Sequence, residues 1–411
     1  MTFRLQKFNT VYPAFAKQFL DHIPDVERLP YAEIYERLVS SAFGQSNFFS
    51  KHLCSLGHEA EDCHASIEPL QKAWAREHSA TYEESSWLHE IVLAQIGHFH
   101  PDVVYLQDLY LFDSAFRNRL RSIHRPPRLI VGWRAAPTSD FSAFGDLDLV
   151  FTAHPGFVED FRRNGVTAVF MPLAFEHTLL QAINIDSARD LDFTFVGSLG
   201  NSLGGHSQRH AIMEQLMQLT PLEVWGDTLI SLSPMKKAAC STIYHANQVL
   251  RRIGSSEGWR RRCPLIGRGA AWRSNPSAPS IRDRYPDRYH PPVFGLQNLE
   301  ILARTKIAFN SHIDMAQDYC GNVRMYEATG VGACLLTDWK DNLPELFEPD
   351  VEVVTYRSGD ECVEKTRYLL AHDSERRAIA AAGHRRTLRD HTYFQRIKTM
   401  AGILDRLLGD D

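Results

Sequence analysis

Nine short apolar runs, most of them separated by room for a helix, constrain this chain more than any other feature. Four fall in the first half: VVYL (103–106), LIVG (129–132), DLVFT (148–152) and AVFM (168–171). Five follow: FTFVG (193–197), LEVWG (222–226), KIAFN (306–310), ACLLT (333–337) and VEVVTY (351–356). The runs are continuous rather than alternating, as in strands covered on both faces. Helix-like stretches such as GFVEDFRRNG, QRHAIMEQLMQL and LQNLEILART lie between them. Strands alternating with helices predict an α/β fold with parallel sheets and right-handed crossovers. Ser358-Gly-Asp-Glu361 reads as a capping box that starts one of the helices.

At 411 residues the chain is too long for one ordinary core and suits two doubly wound domains. The segment 172–191 separates the two sets of runs and is read as their link, which gives domains at 1–178 and 190–390. HTYFQRIKTMAGILDRLLG is read as a last helix, within 391–411. The first 90 residues read as more helical, with Leu38, Phe43, Leu53 and Leu56 as core. A net charge of −5 gives no global argument for nucleic acid or an anionic membrane. No apolar run approaches the ~20 residues of a membrane span, and the N-terminus lacks a secretory pattern. Seven scattered cysteines without a CxxC pair suit free thiols, so a cytoplasmic protein is expected. Residues 250–290 hold ten arginines against three acids. A solvated insertion is favoured there over a basic patch for a phosphorylated partner or nucleic acid.

Open α/β sheets bind ligands beyond the carboxyl ends of their strands. In the second domain those positions are Gly197 and Ser198, Gly226 and Asp227, Asn310, Ser311 and His312, and Asp338. Between the last two sets runs DYCGNVRMYEATGVGACLLTD (318–338). Gly321 and Asn322 are expected to start a helix whose free amides and dipole face an anion. Arg324 adds positive charge, and Glu327, about one turn on, can accept two hydroxyl hydrogen bonds, as a ribose offers. The plainer readings are a surface ion pair and a surface acid; the combination after a strand favours a nucleotide-diphosphate site. The loop FVGSLGNSLGGHSQRH (195–210) lacks the dinucleotide fingerprint but permits close backbone approach, with His206 and Arg209 as candidate partners for a diphosphate. A metal at His206 and His210 is disfavoured, since HSQRH lacks the HExxH glutamate and a third ligand. Asp146-Leu147-Asp148 is a D-x-D triplet, read as loop-to-strand aspartates rather than a cation site. Gln107-Asp108 follows VVYL; Asp108 is a candidate base, with a helix cap as the alternative. Nothing in the sequence selects among His58, His64 and the HFHPD histidines.

FVGSLG, VFGLQNLEILARTKIAFNSHID, GNVRMYEATGVGACLLTDWKDNLPELF and RYLLAHDSERRAIAAAGHRRTLRDHTYFQR together resemble the donor domain of GT-B glycosyltransferases. The nearest likeness is to the CgeB-like spore-maturation group, similar to glycosyltransferase family 4. FGQSNFFSKHLCSLGHEAED, PLQKAWARE and the stretch from VGWRAAP to TAHPGFVEDFRRNGV carry the resemblance into the first domain. It implies two Rossmann-like domains facing a cleft, with the last helix crossing back to the first domain. It implies sugar transfer from a nucleotide diphosphate sugar, UDP- or dTDP-linked, without a cofactor or metal, in bacterial glycan biosynthesis. The acceptor, a glycan, protein or small molecule, is expected on the first domain, near Ser46 and Gln107. By the resemblance Glu327 matches the glutamate that holds the donor ribose. Tyr319 stands where family 4 has a glutamate that contacts the transferred sugar, which leaves the sugar and the stereochemical outcome open. The family's basic pair is not reproduced, and His206, Arg209 and Arg324 are its expected substitutes. Asp108 is the base an inverting reaction requires. A nucleotide-sugar epimerase and an inactive nucleotide-binding scaffold are the rival readings.

Overall fold

The structure, a computed structural model, describes residues 2–135, 138, 140–185, 188–199, 207–226, 233–270, 272, 275, 280–312 and 318–409. Two six-stranded parallel sheets form its frame. The first holds β1 (Arg4–Asn9), β2 (Glu59–His64), β3 (Val103–Leu106), β4 (Leu129–Trp133), β5 (Leu149–Thr152) and β6 (Ala168–Phe170), in the order β2-β1-β3-β4-β5-β6. The second holds β7 (Leu191–Val196), β8 (Leu222–Trp225), β9 (Tyr289–His290), β10 (Thr305–Asn310), β11 (Cys334–Asp338) and β12 (Val354–Tyr356), in the order β12-β11-β10-β7-β8-β9. Strand order reverses between β1 and β3 and between β7 and β10, and crevices open at such switch points.

All nine apolar runs are strands. β1, β2 and β9 were not legible. β1 reads RLQKFN and β2 reads EAEDCH, yet β1 is interior to its sheet. Lys7 on β1 is wholly buried with its ammonium 3.7 Å from Asp62 on β2 and 4.4 Å from the centre of the Phe49 ring. Asn9 completes the group, accepting from Lys7 and donating to Asp62 at 2.9 Å. Burial pulls the Lys7 pKa down to about 8 against the attraction of Asp62.

The helix Tyr393–Gly409 packs on the helix Phe48–Ser55 and buries Tyr393, Ile397, Met400, Leu404 and Leu408 in the core of the first sheet. The helix Asp373–Asp390 leads into it. Ser358 caps its helix by accepting from the Glu361 amide, while the Glu361 carboxylate turns to the Arg357 amide. The arginine-rich segment is not a purely solvated face. Arg260 is buried and donates to the Asn247 carbonyl, and Arg288 donates to the carbonyls of Thr220 and Met217. The D-x-D aspartates are structural, Asp146 held by Arg117 at 2.8 Å and Asp148 by Arg121 and the Ile130 amide. Among the described residues no helix is long and apolar enough to cross a membrane.

Candidate functional site

At the carboxyl end of the second sheet, β10 and β11 release two residues that hold each other. The Asp338 Oδ1 accepts from the His312 amide at 3.0 Å and from its Nδ1 at 2.8 Å. The Gly321 amide donates to His312 Nε2 at 3.3 Å, so Nε2 carries a lone pair and the ring proton sits on Nδ1. Burial pushes the Asp338 carboxyl up, but His312 and its hydrogen bonds, with Lys340 3.7 Å away, hold it below the usual range.

Asn322 is the N-cap of the helix Val323–Gly330, as expected, but its side chain does not cap. Nδ2 instead donates to Asn310 Oδ1 at 2.8 Å, and Asn310 donates on to Thr337 at 2.9 Å. The Tyr356 hydroxyl donates to the Asn310 carbonyl at 3.0 Å. This relay fixes the helix start over β10. No side chain folds over the first turn, where the Met325 amide turns to the Asn322 carbonyl at 3.4 Å, and a helix start of this kind suits an anion.

Arg324 and Glu327 meet on that helix, Nη1 to Oε2 at 2.6 Å, and Arg324 also donates to Asn298. In this state Glu327 neutralises the arginine expected to serve a diphosphate. Arg209 departs further from expectation. It is buried, and donates to the carbonyls of Ser198, at 2.8 Å, and Ser311. It ties the loop after β7 to the loop after β10 rather than presenting a charge. Gly197 closes β7 with its amide on the Trp225 carbonyl at 2.9 Å. His206 and Asp227 lie outside the described residues, and His210 sits 3.8 Å from Glu214.

The first domain approaches this site through the end of β5. The Tyr319 ring meets the His154 ring edge-on, centres 4.8 Å apart. A Cβ added at Gly321 would lie 3.0 Å from the Ala153 carbonyl oxygen, and one at Gly156 would lie 3.2 Å from the Tyr319 ring. Both glycines thus permit the domains to touch. His154 was not singled out from the sequence. Its signal was its place after an apolar run and before Pro155, the start of a helix.

The acceptor-side candidates are tied into local structure. Asp108 Oδ1 accepts the Tyr110 and Leu111 amides, both at 3.0 Å, so it holds the turn 109–112; it caps no helix, since the helix Ser114–Arg121 is capped by Asp113. Gln107 Oε1 accepts the Thr10 amide at 2.9 Å. Ser46 is buried in the left-handed region with φ 42°, its hydroxyl on the Val39 carbonyl at 3.0 Å.

Residues 245–402 match the model of the Glycosyl transferase-like family. No curated protein matches the chain in sequence. Among solved structures, Alr3699/HepE of Anabaena in complex with UDP-glucose is 11% identical, covers 98% of this chain and 100% of its own, and superposes with a TM-score of 0.56. Sucrose-phosphate synthase of Thermosynechococcus elongatus is 9% identical over 99% of this chain and 100% of its own, at 0.54. The α,α-trehalose 6-phosphate synthase of Burkholderia multivorans is 12% identical over 100% of each chain, at 0.53. The fold is GT-B. The family match spans β9 to β12 and reaches the last helix, so it contains the His312–Asp338 pair and the 323–330 helix. In this GT-B chain those elements line the side of the second domain that meets the first.

Proposed function

We propose that the protein is a glycosyltransferase that binds a nucleotide diphosphate sugar on its second domain, 190–390, and an acceptor on its first. One observation carries the reading: at the β10–β11 end, Gly321, Asn322, His312 and Asp338 build a helix N-terminus that faces Ala153 and His154 of the other domain. Cleaving the anomeric bond leaves negative charge on the diphosphate. Amides fixed at a helix start stabilise that charge without reorganising. Glu327 takes the ribose hydroxyls, and a ligand there frees Arg324 from its ion pair. Asp338 already accepts from His312 and Glu327 is ion-paired with Arg324, which supports a metal-independent reaction.

His154 replaces Asp108 as the first-domain residue proposed to act at the cleft, as base for an acceptor hydroxyl in an inverting reaction. Tyr319 covers it, so substrate entry requires that contact to open. UDP is the first nucleotide to test, because a GT-B neighbour is known with UDP-glucose, and a cytoplasmic setting fits a soluble nucleotide donor. The test is thermal unfolding against UDP, dTDP and their sugars, with magnesium and with EDTA. A metal-indifferent shift with one nucleotide supports the reading by mass action. No shift at millimolar nucleotide defeats it, and binding without turnover in an acceptor screen moves the chain to the scaffold reading.

A further inference from the structure

A cavity of about 340 Å³ lies beside β2 at the free edge of the first sheet. Its volume is at the small end of ligand pockets. It is lined from mid-strand, by Gln6 of β1 and Ala60 to Cys63 of β2, and from the C-terminal turns of the helices Glu68–Glu77 and Trp87–Phe99. Asn9, Gln107 and His154, at or beyond the carboxyl ends of their strands, do not line it. This is not the interdomain cleft.

Gln95 is the informative residue. It is 2% exposed, it lines the cavity, and neither its Nε2 nor its Oε1 has a hydrogen-bond partner among the described residues. The Gln6 Oε1 is buried and unpartnered as well, while its Nε2 donates to Glu61 at 2.9 Å. Orphaned buried amides are costly, and leucine would fill the same space without that cost. The polar atoms facing this cavity therefore await partners.

The lining chemistry narrows what those partners are. No arginine or lysine lines the cavity; two carboxylates, Glu61 and Asp62, do, beside the histidines His78 and His98, so an anion is disfavoured. An ammonium donates but cannot accept, whereas the Gln95 Nε2 needs an acceptor. A hydroxyl does both. Tyr35 and Trp74 add aromatic surface for the apolar face of a ring. We propose that this cavity binds a small polyhydroxylated ring of monosaccharide size, as a non-catalytic carbohydrate site separate from the cleft. The proposal goes beyond the transferase reading and does not depend on it, because it concerns binding alone.

The test is saturation-transfer NMR on the full chain with methyl glycosides of glucose, galactose, mannose and N-acetylglucosamine, and with choline as a cationic control. At least one glycoside should show ring-proton saturation. Gln95→Leu should weaken it at least tenfold with an unchanged or raised Tm, and Asp338→Asn, at the cleft, should leave it intact. If Gln95→Leu does not fold, Glu61→Ala at the exposed mouth should produce the same loss. A signal from choline alone replaces the polyol with a cation. Silence from every glycoside means a water-filled cavity, and a signal that survives the pocket variant places the sugar elsewhere; each overturns the proposal.

Discussion

His312 and Asp338 lock each other across the gap between β10 and β11, with Oδ1 taking both the ring Nδ1, at 2.8 Å, and the backbone amide, at 3.0 Å. The Gly321 amide depends on that arrangement, since it needs a bare Nε2 to accept it. Asp338→Leu removes the acceptor, frees the ring and orphans the glycine amide. Stability should fall by about 1–3 kcal/mol, and UDP should bind at least tenfold more weakly, a loss of about 1.4 kcal/mol. Asp338→Asn, which keeps an acceptor, should fall between. Urea unfolding and calorimetric titration with UDP read the two effects separately; a Leu variant that binds UDP like wild type would detach this pair from the site.

Glu327 and Arg324 form a partly exposed pair, 2.6 Å apart. Such pairs contribute little to stability, about 1 kcal/mol or less. Glu327→Gln should therefore leave Tm within a few degrees of wild type. Its nucleotide affinity should drop roughly tenfold, the scale of one charge-assisted hydrogen bond. Comparing UDP with uridine then tests the role: a residue that holds ribose weakens both ligands alike, whereas an equal affinity of variant and wild type removes Glu327 from the reading.

What the sequence made legible was what apolar continuity encodes. Runs such as KIAFN and ACLLT became strands because both of their faces are covered. β1 escaped because Gln6, Lys7 and Asn9 put polar atoms in the core, and only the later folding of Asp62 beside them explains why that is tolerated. β9 is two residues long and carries no pattern. In the site, chain position located Asn310, His312, Gly321, Asn322 and Asp338, since strand ends are a property of order along the chain. Partner choice was not legible. Arg209 spends its guanidinium on two carbonyls, and the Asp108 carboxylate accepts two amides of its own loop. His154 became visible only when the second domain set Tyr319 against it.

Lys7 offers a direct test of that polar core. Lys7→Met leaves Asp62 buried without its cation, a change that typically costs about 3–5 kcal/mol. Adding Asp62→Leu should recover most of the loss, because a matched apolar pair needs no compensation. Guanidinium unfolding of the single and double variants decides it. A harmless single variant would show that Asn9 and the Ser50 amide, 2.6 Å from Asp62, suffice alone.

Gly295 lets the domains meet. Its φ is +56°, and an added Cβ would lie 1.9 Å from the Ser41 carbonyl oxygen, which also accepts the Leu296 amide at 2.9 Å. Next to it Phe294 stands edge-on to Phe43, centres 5.4 Å apart. Gly295→Ala combines backbone strain with a clash against backbone, so about 1–3 kcal/mol of destabilisation is expected. The strain should be relieved by parting the domains at this contact. Small-angle scattering should then show a larger radius of gyration, and hydrogen exchange should quicken around residues 41–43; an unchanged particle with unchanged stability would mean that the contact gives way locally.

His391 ties stability to pH. It is buried, with Nε2 2.8 Å from the Leu346 carbonyl and Nδ1 2.8 Å from Arg396. The ring must donate at one nitrogen and accept at the other, so it is neutral. Burial lowers its pKa to about 4; the Leu346 hydrogen bond works against that shift, and Arg396 and Arg386 reinforce it. In the unfolded chain the ring titrates near its ordinary 6.5. As pH falls below that value the unfolded state takes up a proton that the native state refuses, so stability drops until about pH 4. The loss is roughly 1.4 kcal/mol per unit of depression. His64, buried and lowered to about 3, acts in the same direction, so the wild-type slope alone cannot assign the effect. His391→Gln keeps a donor and an acceptor but does not titrate. Urea unfolding at pH 7 and pH 4.5 should show a smaller loss in this variant than in wild type, whereas parallel losses would mean that His391 is already solvated in the native state.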